Sequence, residues 1–253
     1  TLLTAGNVTS EFSTNSFESL ATATVSDSTL SVADLNGAIS AANTATSGTS
    51  TVFSLSAGAT INTGAESAFT TLLGYETASQ VAISDQNITV DSGELSVSNA
   101  ILLNDTTTGT VTATISSSSV DTLKTLTGTN AYTITIASGD ATGSTAAEFN
   151  TINAATSLAV NASAVTGLAS DTVTNIKTLL TAGNDTAQFT ANSFESLATA
   201  VVSDSTLSGS DLADAIDQAN TATSGTGTVF TITDASEITG TEANFTDLLT
   251  DEG

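Results

Sequence analysis

Pairs of apolar residues separated by five positions recur along the chain. In an α-helix or a straight strand, residues i and i+5 lie on different faces. Both members of such a pair reach the same core only where the backbone turns a corner or bulges between them. Asp, Asn, Ser and Gly, which tolerate tight turns, are frequent at the intervening positions. The pattern predicts short strands joined at corners, and the pairs are Phe12/Phe17, Val25/Leu30, Ile83/Ile88, Val90/Leu95, Ile115/Val120, Val160/Val165, Phe189/Phe194 and Val202/Leu207.

Short helices are predicted between many of these corners. Motifs that resemble a capping box, with a hydroxyl residue three positions before an acid, precede apolar residues at helical spacing. Each helix has one narrow apolar face and is too short to be stable alone, so it must pack against other elements. The predicted starts are Ser31, Ser208, Thr145 and Asp171. The helix that starts at Asp171 is predicted to end at Gly183. Further helical patterns lie at Phe69–Leu73 and Phe245–Leu249.

Segments rich in Thr, Val and Ile predict the strands. They begin at Thr133, Ser157 and Thr228, and each ends in Gly. Successive strand segments lie roughly 20 to 30 residues apart with a short helix between them, which is long enough for a parallel crossover. The strands are therefore predicted to pair in parallel. Residues 76–118 have the weakest helical pattern, and there consecutive strands are predicted at Ile83, Ile88, Val90, Leu95 and Val97.

A long internal repeat organises the whole sequence. Leu2–Phe53 returns at Leu179–Phe230 at a constant offset of 177 residues, and about three quarters of the aligned positions are identical. The alignment then slips by one residue, so that Phe69 matches Phe245. Repetition at a fixed offset is typical of stacked units that contact only their neighbours.

These patterns predict an α/β repeat solenoid, in which short parallel strands alternate with short helices and some coils are all-β. The alternative fold is an all-β solenoid. Residues 1–177 are predicted to form one long repeat made of several strand–helix coils, and residues 178–253 the start of a second copy. Because the pattern opens on the tail of a helix at Thr1 and stops within a repeat, we expect the chain to be a segment of a longer array.

Charge and composition exclude several classes of function. The chain carries 26 acidic residues against two lysines, for a formal net charge of −24, so binding to nucleic acid or to an anionic membrane surface is disfavoured. No apolar run is long enough to span a bilayer. His and Cys are absent, which removes catalytic triads, thiolate chemistry and the usual zinc ligands. The sequence predicts that the protein is not an enzyme.

The repeats resemble a known class of protein. The segments VSDSTLSGSDLADAI, ATGSTAAEFNTINAAT and EITGTEANFTDLL, which begin at Val202, Ala141 and Glu237, are similar to the degenerate repeats of giant cell-surface proteins of marine cyanobacteria. One of those giants is associated with non-flagellar swimming, and Ser/Thr/Ala-rich repeats also occur in bacterial adhesins. The resemblance implies an extracellular or cell-surface location and supplies no catalytic residues.

Calcium is the candidate ligand that the residue types favour. Asp27, Asp85, Asp204 and Asp234 fall at equivalent corner positions, and stacked corners would bring carboxylates and backbone carbonyls together as hard oxygen ligands for Ca²⁺. Neither the EF-hand loop nor the Gly-rich calcium nonapeptide is present. The alternative role for each Asp is to cap its turn through backbone hydrogen bonds.

The function predicted from these observations is that of an extracellular structural repeat protein: a cell-surface scaffold, fibre or surface-layer component. The expected partners are copies of itself or further repeats of the same chain, joined end to end, with surface polysaccharide as a further candidate. The alternative is an adhesin, a binding rod that recognises carbohydrate or cations. An exposed row of aromatic residues would favour the adhesin, and features repeated evenly along the chain would favour the scaffold.

Overall fold

The computed structural model describes residues 19–46, 51–137, 143–225, 227–233, 235 and 237–251. By its internal contacts the chain divides into two compact bodies, Thr1–Ser116 and Ser117–Gly253. Both are built from strand–helix segments, each consisting of one or two short strands followed by one helix. The Phe12/Phe17 pair and Asp234 lie outside the described residues.

In the N-terminal body, all strand pairs are parallel. Strand β1 pairs with β3, while β2, β4, β5 and β6 lie side by side in that order. The elements are β1 (Thr22–Val25), β2 (Thr29–Ser31), α1 (Val32–Ala45), β3 (Val52–Leu55), β4 (Thr60–Asn62), α2 (Glu66–Thr77), β5 (Asn87–Thr89), α3 (Val97–Thr106) and β6 (Val111–Thr114).

The C-terminal body repeats this construction. Strands β8, β9 and β11 form one parallel sheet with β9 in the middle, and β10 pairs with β12, also in parallel. The elements are α4 (Val120–Leu123), β7 (Ala131–Thr133), α5 (Ala146–Ala154), β8 (Gly167–Asp171), α6 (Val173–Gly183), β9 (Thr199–Val202), β10 (Thr206–Ser208), α7 (Gly209–Ala222), β11 (Val229–Ile232), β12 (Glu237–Thr239) and α8 (Glu242–Asp251).

The core of each body is made of columns of aliphatic side chains from successive strands. The register aligns Leu30 with Ile61, Ile61 with Ile88, and Ile88 with Val111, and all four are buried. Each fully buried aliphatic side chain stabilises the fold by about 1.5–3 kcal/mol relative to exposure. In the C-terminal body an aromatic cluster joins α5 to the connection between α6 and β9, with ring centroids 6.3 Å apart for Phe149–Phe194 and 5.1 Å apart for Phe189–Phe194.

The corner prediction is confirmed for most of the pairs. Both residues are buried in every described pair except Val25/Leu30, where Val25 is half-buried. The turns bring neighbouring backbones very close: a Cβ atom at Gly109 would lie 2.2 Å from the carbonyl oxygen of Gln86, so only glycine fits there.

The mixed α/β class with parallel strands is also confirmed, and the all-β alternative is wrong, because helices separate most of the strands. The helices predicted from Ser31, Ser208, Thr145 and Asp171 are present, although the fourth is capped by Thr172. The hydroxyl of each cap accepts the backbone N–H three residues later, and Thr145 and Glu148 form the complete capping box.

Several strand predictions need correction. Ile83 and Val90 lie outside any strand and Leu95 forms only an isolated bridge, because a turn at residues 84–85 and a bend at residues 92–93 confine the strand to Asn87–Thr89. Strand β7 ends at Thr133, where a predicted strand begins, and only an isolated bridge at Thr135 follows it.

Val97 was predicted to lie in a strand but begins α3, because the Ser96 hydroxyl caps the Asn99 N–H and starts a helix whose buried face includes Ala100 and Leu103. Residues 78–96 contain no helix. The segment from Ser157 forms only isolated bridges, because the side chain of Asn161 accepts hydrogen bonds from Ser163 and turns the chain there.

The two copies of the repeat match element by element in their described parts. Elements β1, β2, α1, β3 and β4 recur 177 residues later as β9, β10, α7, β11 and β12 with the same bounds. Thr22 pairs with Val52 as Thr199 pairs with Val229, and Leu30 with Ile61 as Leu207 with Ile238. The one-residue slip falls after β4 and β12, in the turns that lead to α2 and α8.

We predict that in experimental coordinates the strands and helix of residues 22–62 superpose on those of residues 199–239. The reason is that the inward-facing residues, the caps and the strand registers coincide. A crystal structure or NMR backbone dihedral angles would provide the measurement. A deviation of several ångströms within these strands or helices would contradict the prediction, whereas differences in loops would not.

Candidate functional site

The carboxylates at the corners and helix starts are the candidate site. Asp204 lies in the turn between β9 and β10, and its Oδ2 accepts the N–H of Val173, the first residue of α6, at 2.7 Å. The N-terminus of a helix has unpaired N–H groups and a partial positive charge, so a carboxylate placed there is stabilising. Asp204 therefore caps a helix that belongs to the preceding strand–helix segment.

Asp85 plays a related role in the N-terminal body. Its Oδ2 accepts the N–H of Gly58 at 3.3 Å, and its Oδ1 accepts the side-chain N–H of Gln86 at 2.5 Å. Gln86 is buried and also donates to the carbonyl oxygen of Ser56 at 3.2 Å, while its own Oε1 is buried and accepts no hydrogen bond from the described residues. Asp85 thus caps the turn at Gly58, in the preceding segment, rather than its own turn as predicted, and it lies next to a buried oxygen that has no donor among the described residues.

The described members of the predicted calcium set, Asp27, Asp85 and Asp204, do not form a metal-binding group. Asp27 is exposed in the turn between β1 and β2, at the position that corresponds to Asp204. Among the described residues, no three acidic side chains are grouped closely enough to hold a metal ion. Calcium binding at these positions stays a prediction.

Three further carboxylates connect successive segments and were missed from the sequence. Asp91 accepts the N–H groups of Thr63 and Gly64 at 3.1 and 2.9 Å, in the turn before α2. Asp171 accepts the N–H of Ala147, in the first turn of α5, at 2.7 Å. Asp171 is the last residue of β8 and Asp91 lies two residues after β5, and this position at a strand end is the signal that could have identified them.

Glu66, the first residue of α2, is the third of these carboxylates. Its Oε1 accepts the backbone N–H of Ser96 at 3.0 Å, the hydroxyl of Ser96, and the side-chain N–H of Asn99 at 2.6 Å. The hydroxyl bond from Ser96 lowers the pKa of Glu66 below its ordinary value; burial opposes this shift, and the bonds from Asn99 and the Ser96 backbone add to it. Glu66 therefore ties α2 to the start of α3.

Both lysines also join neighbouring helices. The Nζ atom of Lys124 lies 2.6 Å from Asp121 and 2.6 Å from Glu148, and these bonds raise the pKa of Lys124. The pKa of Glu148 is lowered, chiefly by its hydrogen bond from Lys124. The two lysines thus neutralise acids at the helix starts.

Lys177 on α6 forms the second link. Its Nζ contacts Asp211 at 2.5 Å and Asp214 at 3.4 Å, both on α7. The hydrogen bond to Asp211 raises the pKa of Lys177 and lowers that of Asp211.

Amide side chains add hydrogen bonds between successive segments. The amides of Asn43 and Gln80 exchange two hydrogen bonds, of 3.2 and 2.6 Å. In the C-terminal body, Asn153 donates to Gln188 at 2.9 Å, and Asn184 donates to Gln218 at 2.8 Å. Many of the described polar side chains thus hold neighbouring segments together.

Comparison with known proteins gives no match, because no family model, no curated protein and no solved structure is significantly similar to the chain. No described helix is both long and apolar enough to cross a membrane.

We predict that acid destabilises the N-terminal body partly through Glu66. Its folded-state pKa is lowered, so its contribution to the free energy of unfolding is complete above the ordinary glutamate pKa and is lost as the pH falls through the folded value. Urea unfolding from pH 7 to pH 3 should show a shallower acid loss in Glu66→Gln, which lacks the titrating group and is less stable at pH 7 by about 1 kcal/mol.

Glu94→Gln is the matched control, because Glu94 is exposed in the same body. It also controls for the weaker charge repulsion that protonation of the other acids brings. The same pH profile for both variants would contradict the role assigned to Glu66.

Proposed function

We propose that the chain is a structural repeat protein of the cell surface, in which the strand–helix segments stack as a parallel solenoid and continue into further repeats. The observation that carries this proposal is the repeated interface between segments. Parallel pairing aligns inward aliphatic residues from one segment to the next, and the same registers recur 177 residues later. An array with this property is extended by adding copies, because each new segment meets the same surface.

The distribution of polar groups supports a scaffold rather than a catalyst. The carboxylates accept backbone N–H groups, and the lysines and amides link adjacent helices. These contacts are spread along the described chain instead of converging on one cleft. Such an arrangement suits a structural role, whereas an active site brings its functional groups together in one pocket.

The distribution of aromatic residues favours the scaffold over a carbohydrate-binding adhesin. Sugar-binding surfaces present aromatic faces, but the described aromatic side chains are buried apart from Tyr75 and Phe230, which are partly exposed. Tyr132, one of two tyrosines in the chain, is completely buried. The described surface thus carries no row of aromatic residues.

An extracellular and saline setting fits the charge. A formal net charge of −24 favours expansion through self-repulsion, and salt shortens the range of that repulsion to about 8 Å at physiological ionic strength. The resemblance to giant cell-surface repeat proteins supports the same location. Calcium binding is a second candidate function. The observation that favours it is the buried Oε1 of Gln86, which accepts no hydrogen bond from the described residues and lies beside the Asp85 carboxylate.

We predict that tandem proteins with one, two and three copies of residues 1–177 increase in maximum dimension by a constant increment. Each copy should add the same number of stacked segments, and the melting temperature should rise with copy number because more interfaces are made. Small-angle scattering and thermal melts would measure both quantities. Compact particles, or dimensions that grow as a flexible string of globules, would contradict the proposal.

We predict that high NaCl raises the melting temperature relative to dilute buffer, because it screens the excess of acids. CaCl₂ matched for ionic strength should raise it further if Asp85 binds the ion, and Asp85→Asn should remove that additional rise whereas Glu94→Gln should not. Equal melting points in NaCl and CaCl₂ would exclude calcium as a stabilising ligand. Equal melting points in dilute buffer and NaCl would remove the argument from charge repulsion.

A further inference from the structure

The described surface of the C-terminal body carries a distinct apolar face, made by α7, β11, β12 and α8. Ile232 and Ile238 are each 38% exposed, and Phe230 is partly exposed. Between these elements lies an open cavity of about 290 Å³, lined by residues that include Ile216, Phe230 and Leu248. Exposed apolar patches of this kind mark interaction sites.

The first copy of the repeat shows what covers the equivalent face. Phe53 and Ile61, which correspond to Phe230 and Ile238, are 3% and 0% exposed. The N–H of Phe53 donates to the carbonyl oxygen of Gln80 at 2.7 Å, Phe53 forms a parallel bridge with Val81, and Ile61 pairs with Ile88. The same residue types in the same elements are therefore buried by residues 80–91, which contain no helix.

The polar groups of the two faces also correspond. Asn43 exchanges two amide hydrogen bonds with Gln80, and its counterpart is Asn220 on α7. Gly64 donates its N–H to Asp91, and its counterpart is Gly240, in the turn before α8.

The counterpart of Glu66 is Glu242, at the first position of α8. Glu66 binds Ser96 and Asn99 of the following segment. The second face thus presents the same apolar and polar groups as the first, at positions set by the same backbone.

We infer that the face formed by α7, β11, β12 and α8 docks a helix-free coil with the chemistry of residues 80–91, in which an isolated bridge at Val81 and a turn precede a short strand. The docked coil carries a glutamine for Asn220, followed directly by an aliphatic residue for Phe230. A second aliphatic residue lies seven positions later for Ile238, and a carboxylate lies three positions beyond that for the turn at Gly240. Strand addition of this kind combines backbone hydrogen bonds with pockets for alternate side chains.

This inference rests on the proposed stacking of segments. It goes beyond that proposal by naming the surface and the sequence pattern of the coil that binds there.

The test extends the full chain with its own coil. Residues 74–116 are joined after Leu249, which corresponds to Leu73, in place of the last four residues. We expect hydrogen exchange at the Phe230 amide to slow by about a hundredfold or more, because that N–H should then donate to the carbonyl of the added Gln80 equivalent. The matched control carries the same extension with the substitutions Val81→Asp and Ile88→Asp, and it should not protect the Phe230 amide from exchange.

A second measurement uses matched substitutions. In the extended protein, Ile238→Ala should lower the melting temperature about as much as Ile61→Ala does, whereas in the unextended chain Ile238→Ala should lower it much less. The inference would be overturned if the Phe230 amide exchanged at the same rate with the native extension and with the extension that carries Val81→Asp and Ile88→Asp. Failure of the extended protein to fold would also overturn it. Exchange at Phe230 reports this face alone, while the dimensions of the tandem proteins report the stacking as a whole, so each proposal can fail separately.

Discussion

The structure depends on backbone hydrogen bonds that cross from one strand–helix segment to the next. Strands of three to five residues form no hairpins in either body; all of their described pairs are parallel and lie with strands of other segments. A parallel pair cannot be closed by a tight turn, so a segment on its own leaves its strand groups unpaired. The burial of apolar side chains also depends on neighbouring segments. Ile61 and Ile88 are completely buried, and each is paired with a residue of another segment on both sides. Stability is therefore shared between neighbours, and no single segment possesses it alone.

The sequence predicts the parts of this arrangement that local chemistry determines. The spacing of five between apolar residues requires a corner or a bulge if both are to reach the core, and both members of the pairs Ile83/Ile88 and Phe189/Phe194 are buried. Helices with a hydroxyl cap and a regular apolar face were recognised from their first turn. Helix α3 was missed because its cap has Asn at the third position in place of an acid, and because Val97 alone resembles a strand residue. The pattern at Ser157 resembled a strand because the turn made by Asn161 depends on one side-chain geometry that composition does not reveal.

The candidate site was only partly predictable, for a different reason. Asp85 and Asp204 were identified as corner residues, and both accept backbone N–H groups. The N–H groups in question lie 27 and 31 residues earlier in the chain, so the partner is known only after the register between segments is known. Asp171 and Glu66 were missed on the same ground. A carboxylate that caps its own turn can be inferred from sequence, whereas one that caps a neighbouring segment needs the three-dimensional stacking.

The placement of these acids explains how a chain with 26 acidic residues and two lysines forms compact bodies. Cations are too few to neutralise the acids, so backbone N–H groups and helix N-termini serve as the positive partners. Acidic residues occupy the first turns of α1, α2, α5, α7 and α8, and no basic residue lies in the last turn of these helices.

The favourable interaction with each helix dipole is worth about 0.3–1 kcal/mol, and salt weakens it over the same distances at which it weakens the repulsion between acids. The two effects of salt therefore oppose each other at the helix starts. Added salt should stabilise the fold mainly through acids that lie away from the helix starts, such as Asp105, which is exposed in the last turn of α3.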